Sequence, residues 1–325
     1  MVTRRVVLQR RRHLLACLLL VLMFLVPTGV LQAEPSSDAE TSEQQSESDR
    51  LLEMALDHWL GREIRLQEMA QRIQIAGVDL CEDRLSPIMG ATIVDLKDFQ
   101  SNMEPKARKR FGAEHRYFVT AVFGDMPAAR AGLQIGDAIV KFNGSKLKDT
   151  RNFYGFRWPS EEPVQIEVSR DGETIELAVS SIYGCRFPAS VSFNDMVNAG
   201  AHGTHLKVNT ALMRDLTDDD FLAYVVGHEV AHNIFPSRAA SRRGGWASRG
   251  NEARADYVGA YLATIAGYRF VNVWEEGLGS MNVDFFNSRR LSHPSDPKRK
   301  LAQEKTIEEI RQKLERGEPL ELRFE

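Results

Sequence analysis

Three residues in the sequence stand at a spacing that makes a metal site. His228, Glu229 and His232 form the pattern HExxH within Gly227-His228-Glu229-Val230-Ala231-His232. On a helix, residues four apart share a face, so His228 and His232 can offer two imidazole nitrogens to one cation. Glu229 lies beside them, displaced around the helix, where a base for a metal-activated water belongs. Three fixed residues recur by chance at about one position in 8,000 if residue usage is even. The alternative is a histidine pair on a solvated helix face. Val225, Val226, Val230 and Ala231 mark this helix as buried instead, and two histidines with a glutamate in an apolar setting need partners.

A third ligand decides the class of site. Asn251-Glu252-Ala253-Arg254-Ala255-Asp256 opens a second apolar run, Val258 to Ala266. Glu252 completes a two-histidine, one-carboxylate set with an open position, the composition of a catalytic rather than a structural zinc site. The expected cofactor is one Zn2+ per chain. Asp256, one turn beyond Glu252 on the same face, suits the second N–H of a ligand histidine. A surface salt-bridge pattern with Arg254 explains neither the spacing nor the apolar continuation.

These residues need elements to hold them. Asp218-Asp219-Asp220 precede the motif helix as acids at a helix N-terminus should. Residues 50–80 carry Leu52, Leu56, Trp59, Leu60, Ile64, Met69 and Ile73 near helical spacing, an amphipathic helix ending at Gly77. Residues 34–49 contain no large apolar side chain and read as a disordered acidic linker. Strands are expected at Tyr117 to Phe123, at Ala138 to Phe142, and on both sides of Asp171-Gly172, a hairpin signal between Val164–Arg170 and Glu173–Val179.

The N-terminus reads as an export signal. Arg4, Arg5, Arg10, Arg11 and Arg12 precede an apolar run from Leu14, and Leu31-Gln32-Ala33 offers a cleavage site. Residues 1–33 are therefore a cleaved signal peptide or a retained anchor, the second giving membrane association. Both place the body in the periplasm or cell envelope. There, Cys81 and Cys185 are expected to form a disulfide, with two buried free thiols as the alternative. The net charge of −3 gives no basic face for nucleic acid.

Two resemblances rest on these motifs. Met126-Pro127-Ala128-Ala129-Arg130-Ala131-Gly132-Leu133-Gln134-Ile135-Gly136-Asp137 resembles the signature of bacterial PDZ domains over residues 86–182, with Ile88-Met89-Gly90-Ala91 at the position of the family's carboxylate-binding loop. It implies a groove that takes chain termini or extended segments by strand addition. The pairing of HExxH with Glu252-x-x-x-Asp256 resembles the gluzincin metallopeptidases of the CAAX-prenyl-protease and HtpX-like family over Ser190 to Leu301, within a metallopeptidase domain expected at residues 190–316, specifically a soluble envelope branch that carries a PDZ domain. That family implies a substrate-binding stretch, Asn198-Ala199-x-x-x-Gly203 followed by a strand at His205 to Val208 that lines the cleft and pairs with substrate backbone, and a segment Ser292-His293-Pro294 beside the metal, with Arg299 in support. His293 is then the first candidate for a second oxyanion donor alongside the base Glu229, and Tyr257 the next. His202 and His205, three apart on a strand, should face opposite sides and share no metal.

The expected fold is α+β: signal and helix, a PDZ-like β-domain, then a mainly helical compact gluzincin domain with a small substrate-binding sheet. The function implied is an exported zinc metalloendopeptidase acting on envelope proteins. The rival readings are a PDZ-based binding protein or chaperone without turnover, and a zinc hydrolase acting on something other than peptide.

Overall fold

A computed structural model of the chain describes residues 37–99, 101–112, 114–146, 163–180, 182–236, 249–269 and 297–322. The leader and His293 lie outside them. Contacts divide the chain into Met1–Glu47 and Ser48–Glu325. Among the described residues no helix is long and apolar enough to cross a membrane.

Helix α1, Ser37–Ala76, begins inside the acidic stretch expected to be a disordered linker. After Pro35 that stretch holds Ala, Glu, Gln and Ser without a glycine or proline, so nothing breaks a helix and the acids suit its N-terminal end. Residues 45–50 are exposed all the same. Burial starts further on, with Leu56, Leu60, Leu66, Met69 and Ile73. The Gly77 amide bonds to Ile73 O at 3.1 Å and closes the helix.

After α1 the chain forms a stem. Strand β1 (Leu85–Ile88) pairs antiparallel with β8 (Ile182–Cys185), Leu85 opposite Cys185. Cys81 and Cys185 are joined by a disulfide across 104 residues, their Cα atoms 5.5 Å apart. The stem carries an antiparallel sheet in the order β2-β3-β4-β6-β7, made of β2 (Ala91–Asp95), β3 (Tyr117–Val122), β4 (Ala138–Phe142), β6 (Val164–Arg170) and β7 (Glu173–Val179). The short β5 (Ser145–Lys146) pairs with β4. Asp171 and Gly172 both have positive φ, 51° and 85°, the backbone a two-residue I′ hairpin requires. Val119, Leu133, Ile139, Ile166 and Val168 fill this domain's own core.

The stretch between β2 and β3 holds α2, Glu104–Phe111. Its approach and inner face, Leu96, Phe99, Met103 and Ala107, pack against Leu56 and Leu60 of α1, so the helix is fixed by apolar burial from two elements.

The remaining chain is mainly helical with a small mixed sheet. Strands β9 (Ala189–Ser192), β10 (Ala199–Ala201) and β11 (Leu206–Asn209) are ordered β10-β11-β9, with β11 antiparallel to β10 and parallel to β9. Helices α3 (Pro127–Arg130), in the sheet domain, and α4 (Thr210–Asp215), after β11, are short. The long helices are α5 (Asp219–Ile234), α6 (Arg249–Ile265) and α7 (Pro297–Glu315). Asp218 caps α5, its Oδ1 accepting the Phe221 amide at 2.9 Å. The architecture is thus α+β, and one apolar core joins α1, the small sheet, α5 and α6.

Candidate metal centre

α5 and α6 carry the donor residues. His228 and Glu252 are buried, Glu252 at 0% exposure, and His232 is half-buried. His228 Nε2 lies 3.0 Å from His232 Nε2, 3.5 Å from Glu252 Oε2, and Glu252 Oε1 is 3.4 Å from His232 Nε2. Ligand bonds of about 2.1 Å arranged tetrahedrally put donor atoms about 3.4 Å apart. The two imidazole nitrogens and the two oxygens of Glu252 thus lie 3.0–3.5 Å apart, close to the spacing of donors around one tetrahedral cation. Glu229 is buried alongside at 2% exposure.

The surroundings fix these side chains. His228 Nδ1 is 3.0 Å from Asp256 Oδ1. Asp256 also accepts from the Tyr224 hydroxyl at 2.8 Å and from Arg299, Nε to Oδ2 at 2.7 Å and Nη2 to Oδ1 at 2.8 Å. Arg299 Nη1 reaches Glu252 Oε2 at 3.3 Å. One arginine thus ties the donor carboxylate to the carboxylate that orients a donor histidine.

The electrostatics ask for a cation. Burial alone depresses His228, but hydrogen bonds to Asp256 and Glu252, with the field of Asp256 and Glu229, outweigh it and push the imidazole up to about 10. Burial would raise Asp256; hydrogen bonds from His228 and Arg299 hold it below the usual carboxylate range instead. Burial, with Asp256 beside it, lifts Tyr224 well above an ordinary phenol. Three carboxylates, Glu229, Glu252 and Asp256, gather at the two histidines, and Arg299 bonds two of them. That fits a divalent cation.

Sequence reading missed several positioning groups. Asn233, the residue after His232, is 0% exposed. Its Oδ1 accepts the Gly203 amide at 2.7 Å and its Nδ2 donates to His205 O at 3.1 Å, so the motif helix holds the turn between β10 and β11. Arg84 donates to Asn233 O at 2.7 Å and to Ile234 O at 2.9 Å, capping the C-terminal end of α5 from the stem. A buried polar residue in an apolar helix was the available signal for Asn233, and Tyr224 lies one turn before His228. For Arg84 no local signal existed.

The other sequence candidates are placed as follows. Asn198 O accepts the Asn209 amide at 3.0 Å; the strand expected to pair with substrate, β11, is paired on both edges, and among the described residues β10 and β9 are the end strands of that sheet. Gly203 adopts φ 81° in the turn. His202 and His205 do not face opposite sides: a turn intervenes between them, His202 N bonding His205 O at 2.9 Å, and their rings stack at 4.7 Å. Among the described residues, the only grouping with metal-ligand geometry is His228, His232 and Glu252. Tyr257 stands about 140° round α6 from Glu252. It lies against Tyr261 and shares hydrogen bonds with Tyr261 and Glu309, so it is directed toward α7 rather than to the donor trio.

Residues 83–180 match the family model described as PDZ domain, and this chain contains such a domain, carried on the stem closed by Cys81 and Cys185. No curated protein matches the chain. Among solved structures, the HtrA3 PDZ domain bound to a phage-derived ligand (FGRWV) is 22% identical, over 30% of this chain and 88% of that one, with a TM-score of 0.26. The HtrA-type protease AlgW with a decapeptide is 24% identical, over 32% of this chain and 30% of that one, also with a TM-score of 0.26.

Proposed function

We propose that the chain is an exported zinc metalloendopeptidase of the gluzincin type, similar to the CAAX-prenyl-protease and HtpX-like family, in which the PDZ domain binds protein or peptide substrates. The observation that carries this reading is the convergence of the His228, His232 and Glu252 donor atoms at zinc-ligand separations, with Glu229 beside them. His228, His232 and Glu252 would hold one Zn2+, which supplies Lewis acidity to a water and to a scissile carbonyl.

The chain's own groups do the rest. Glu229 takes a proton from the attacking water as its oxygen bonds to the carbonyl carbon, then delivers that proton to the amine as the C–N bond breaks. Asp256 holds His228 in the tautomer whose Nε2 is a donor to metal, and Arg299 fixes both Asp256 and Glu252. The outer edge of β10 beside α5 suits an extended substrate backbone. His293 remains the candidate second donor to the oxyanion. A disulfide favours an oxidising compartment, which agrees with export by residues 1–33 to the periplasm or envelope.

Purified protein should carry about one zinc per chain, lost in His228→Ala and Glu252→Ala. Glu229→Ala should keep the zinc and cleave casein at least about 100-fold more slowly. Equal cleavage by wild type and Glu229→Ala overturns the peptidase reading. The second reading, a PDZ-based binder without turnover, stands on the domain match at residues 83–180. It predicts peptide binding with no cleavage by either form.

A further inference from the structure

A cavity of about 760 Å³ lies between the PDZ domain and the helical body, bounded by β2, by β9 and by the turn at Gly203–His205. The donor trio is not part of its lining. Both strands are end strands of their sheets among the described residues. One wall is apolar and aromatic: Trp59 packs edge-on to Phe99 at 5.0 Å and lies over Phe193 at 6.5 Å. Phe193 is 53% exposed, a large apolar surface left open at the cavity's mouth.

The lining also carries two basic side chains without a partner. Arg186, half-buried on the strap from β8 to β9, and Lys207 on β11 both line the cavity. Among the described residues neither side chain makes a hydrogen bond or ion pair. The acids nearby are committed. Glu63 accepts from the Val191 amide at 2.9 Å and from Gln67 at 2.8 Å; Asp95 is paired with Arg116; Asp98 is engaged as well. A half-buried guanidinium without an acceptor is matched by a carboxylate.

Among the described residues, α1 lies against the start of β2. Gln71 of α1 donates to Ala91 O at 3.1 Å, and the adjoining space at Met89 and Ala91 is only about 70 Å³, room for about two waters and too little for a terminal residue with its carboxylate. We propose that the larger cavity receives an internal, extended protein segment, in which an acidic side chain meets Arg186 and Lys207 while an apolar side chain enters the wall of Trp59, Phe99 and Phe193. Asn233, the residue after His232, holds the Gly203–His205 turn that bounds this cavity. A segment held there lies beside the motif helix. The assignment concerns binding and stands whether or not the chain cleaves peptides.

The test uses the full-length Glu229→Gln variant, so that no probe is consumed, and fluorescence anisotropy with an N-acetylated, C-amidated octapeptide carrying a central Leu-Ala-Glu. It should bind about tenfold tighter than its Leu-Ala-Gln counterpart. Arg186→Gln should abolish that difference, and Trp59→Ala should weaken both peptides. A parallel peptide with a free C-terminus should bind no better than the amidated one. Tighter binding that requires the free terminus, or a Glu preference that survives Arg186→Gln, overturns the proposal. Melting of each variant alongside wild type separates lost binding from lost fold.

Discussion

Gly227 of α5 and Gly259 of α6 meet backbone to backbone. A Cβ on Gly227 would lie 2.6 Å from Gly259 O, and one on Gly259 would lie 2.6 Å from the His228 amide nitrogen. The two helices approach this closely because neither carries a side chain at the crossing, and the same approach lets Glu252 reach both histidines.

Alanine at either position should therefore push the helices apart, since the opposing atoms are backbone and cannot rotate away. Overpacking of this kind costs about 1–3 kcal/mol, and zinc affinity should fall at least about tenfold as Glu252 withdraws. Competition with a chromophoric chelator measures it. Wild-type affinity in both Gly227→Ala and Gly259→Ala would show that the contact does not set the donor geometry.

Asp256→Asn should weaken zinc binding about 10–100-fold, the range for loss of a partner behind a ligand histidine. The substitution keeps the shape but removes the charge that His228 and Arg299 share. Isothermal titration of the metal-depleted protein reads the change. An unaltered affinity would place Asp256 outside the site's function.

Glu63 predicts a pH dependence of stability. Burial raises its carboxyl above the ordinary value of 4.5, outweighing the hydrogen bonds from Gln67 and the Val191 amide. The folded state therefore holds this proton more tightly than the unfolded chain does. The contribution is fully present below pH 4.5 and is lost as pH rises through the folded value. Glu63→Gln, neutral at every pH, should flatten that decline. Urea unfolding of both proteins across pH 4–8 checks it, and parallel curves would refute it.

Removing the Cys81–Cys185 bond by paired serine substitution should cost about 4–5 kcal/mol in the chain-entropy model, given a loop of 104 residues. The stem also carries Arg84 to the end of α5. Loosening it should lower zinc affinity as well as melting temperature. Reductant should reproduce both effects in wild type and neither in the double variant.

Much of the fold was legible because its signals are local. The turn pair Asp171-Gly172 sets the hairpin by backbone conformation alone, and the strands on either side fall at the expected residues, Val164–Arg170 and Glu173–Val179. The start of α1 was misread for the same reason: acidic residues without an apolar face signal lack of burial, and lack of burial was taken for lack of helix. His202 and His205 were misread as strand neighbours because the turn at Gly203 reverses the chain between them.

By itself the sequence determined which side chains share a face: His228 with His232, and Glu252 with Asp256, because helical periodicity is a property of one segment. It also determined that Cys81 and Cys185 flank one domain. Tertiary structure alone decided that the two helices touch through Gly227 and Gly259, that Arg299 joins Glu252 to Asp256, and that Asn233 and Arg84 tie the motif helix to a turn and a stem. Those contacts join residues far apart in the chain. Their partners are selected by the packing of shared apolar surface, which residue spacing does not encode.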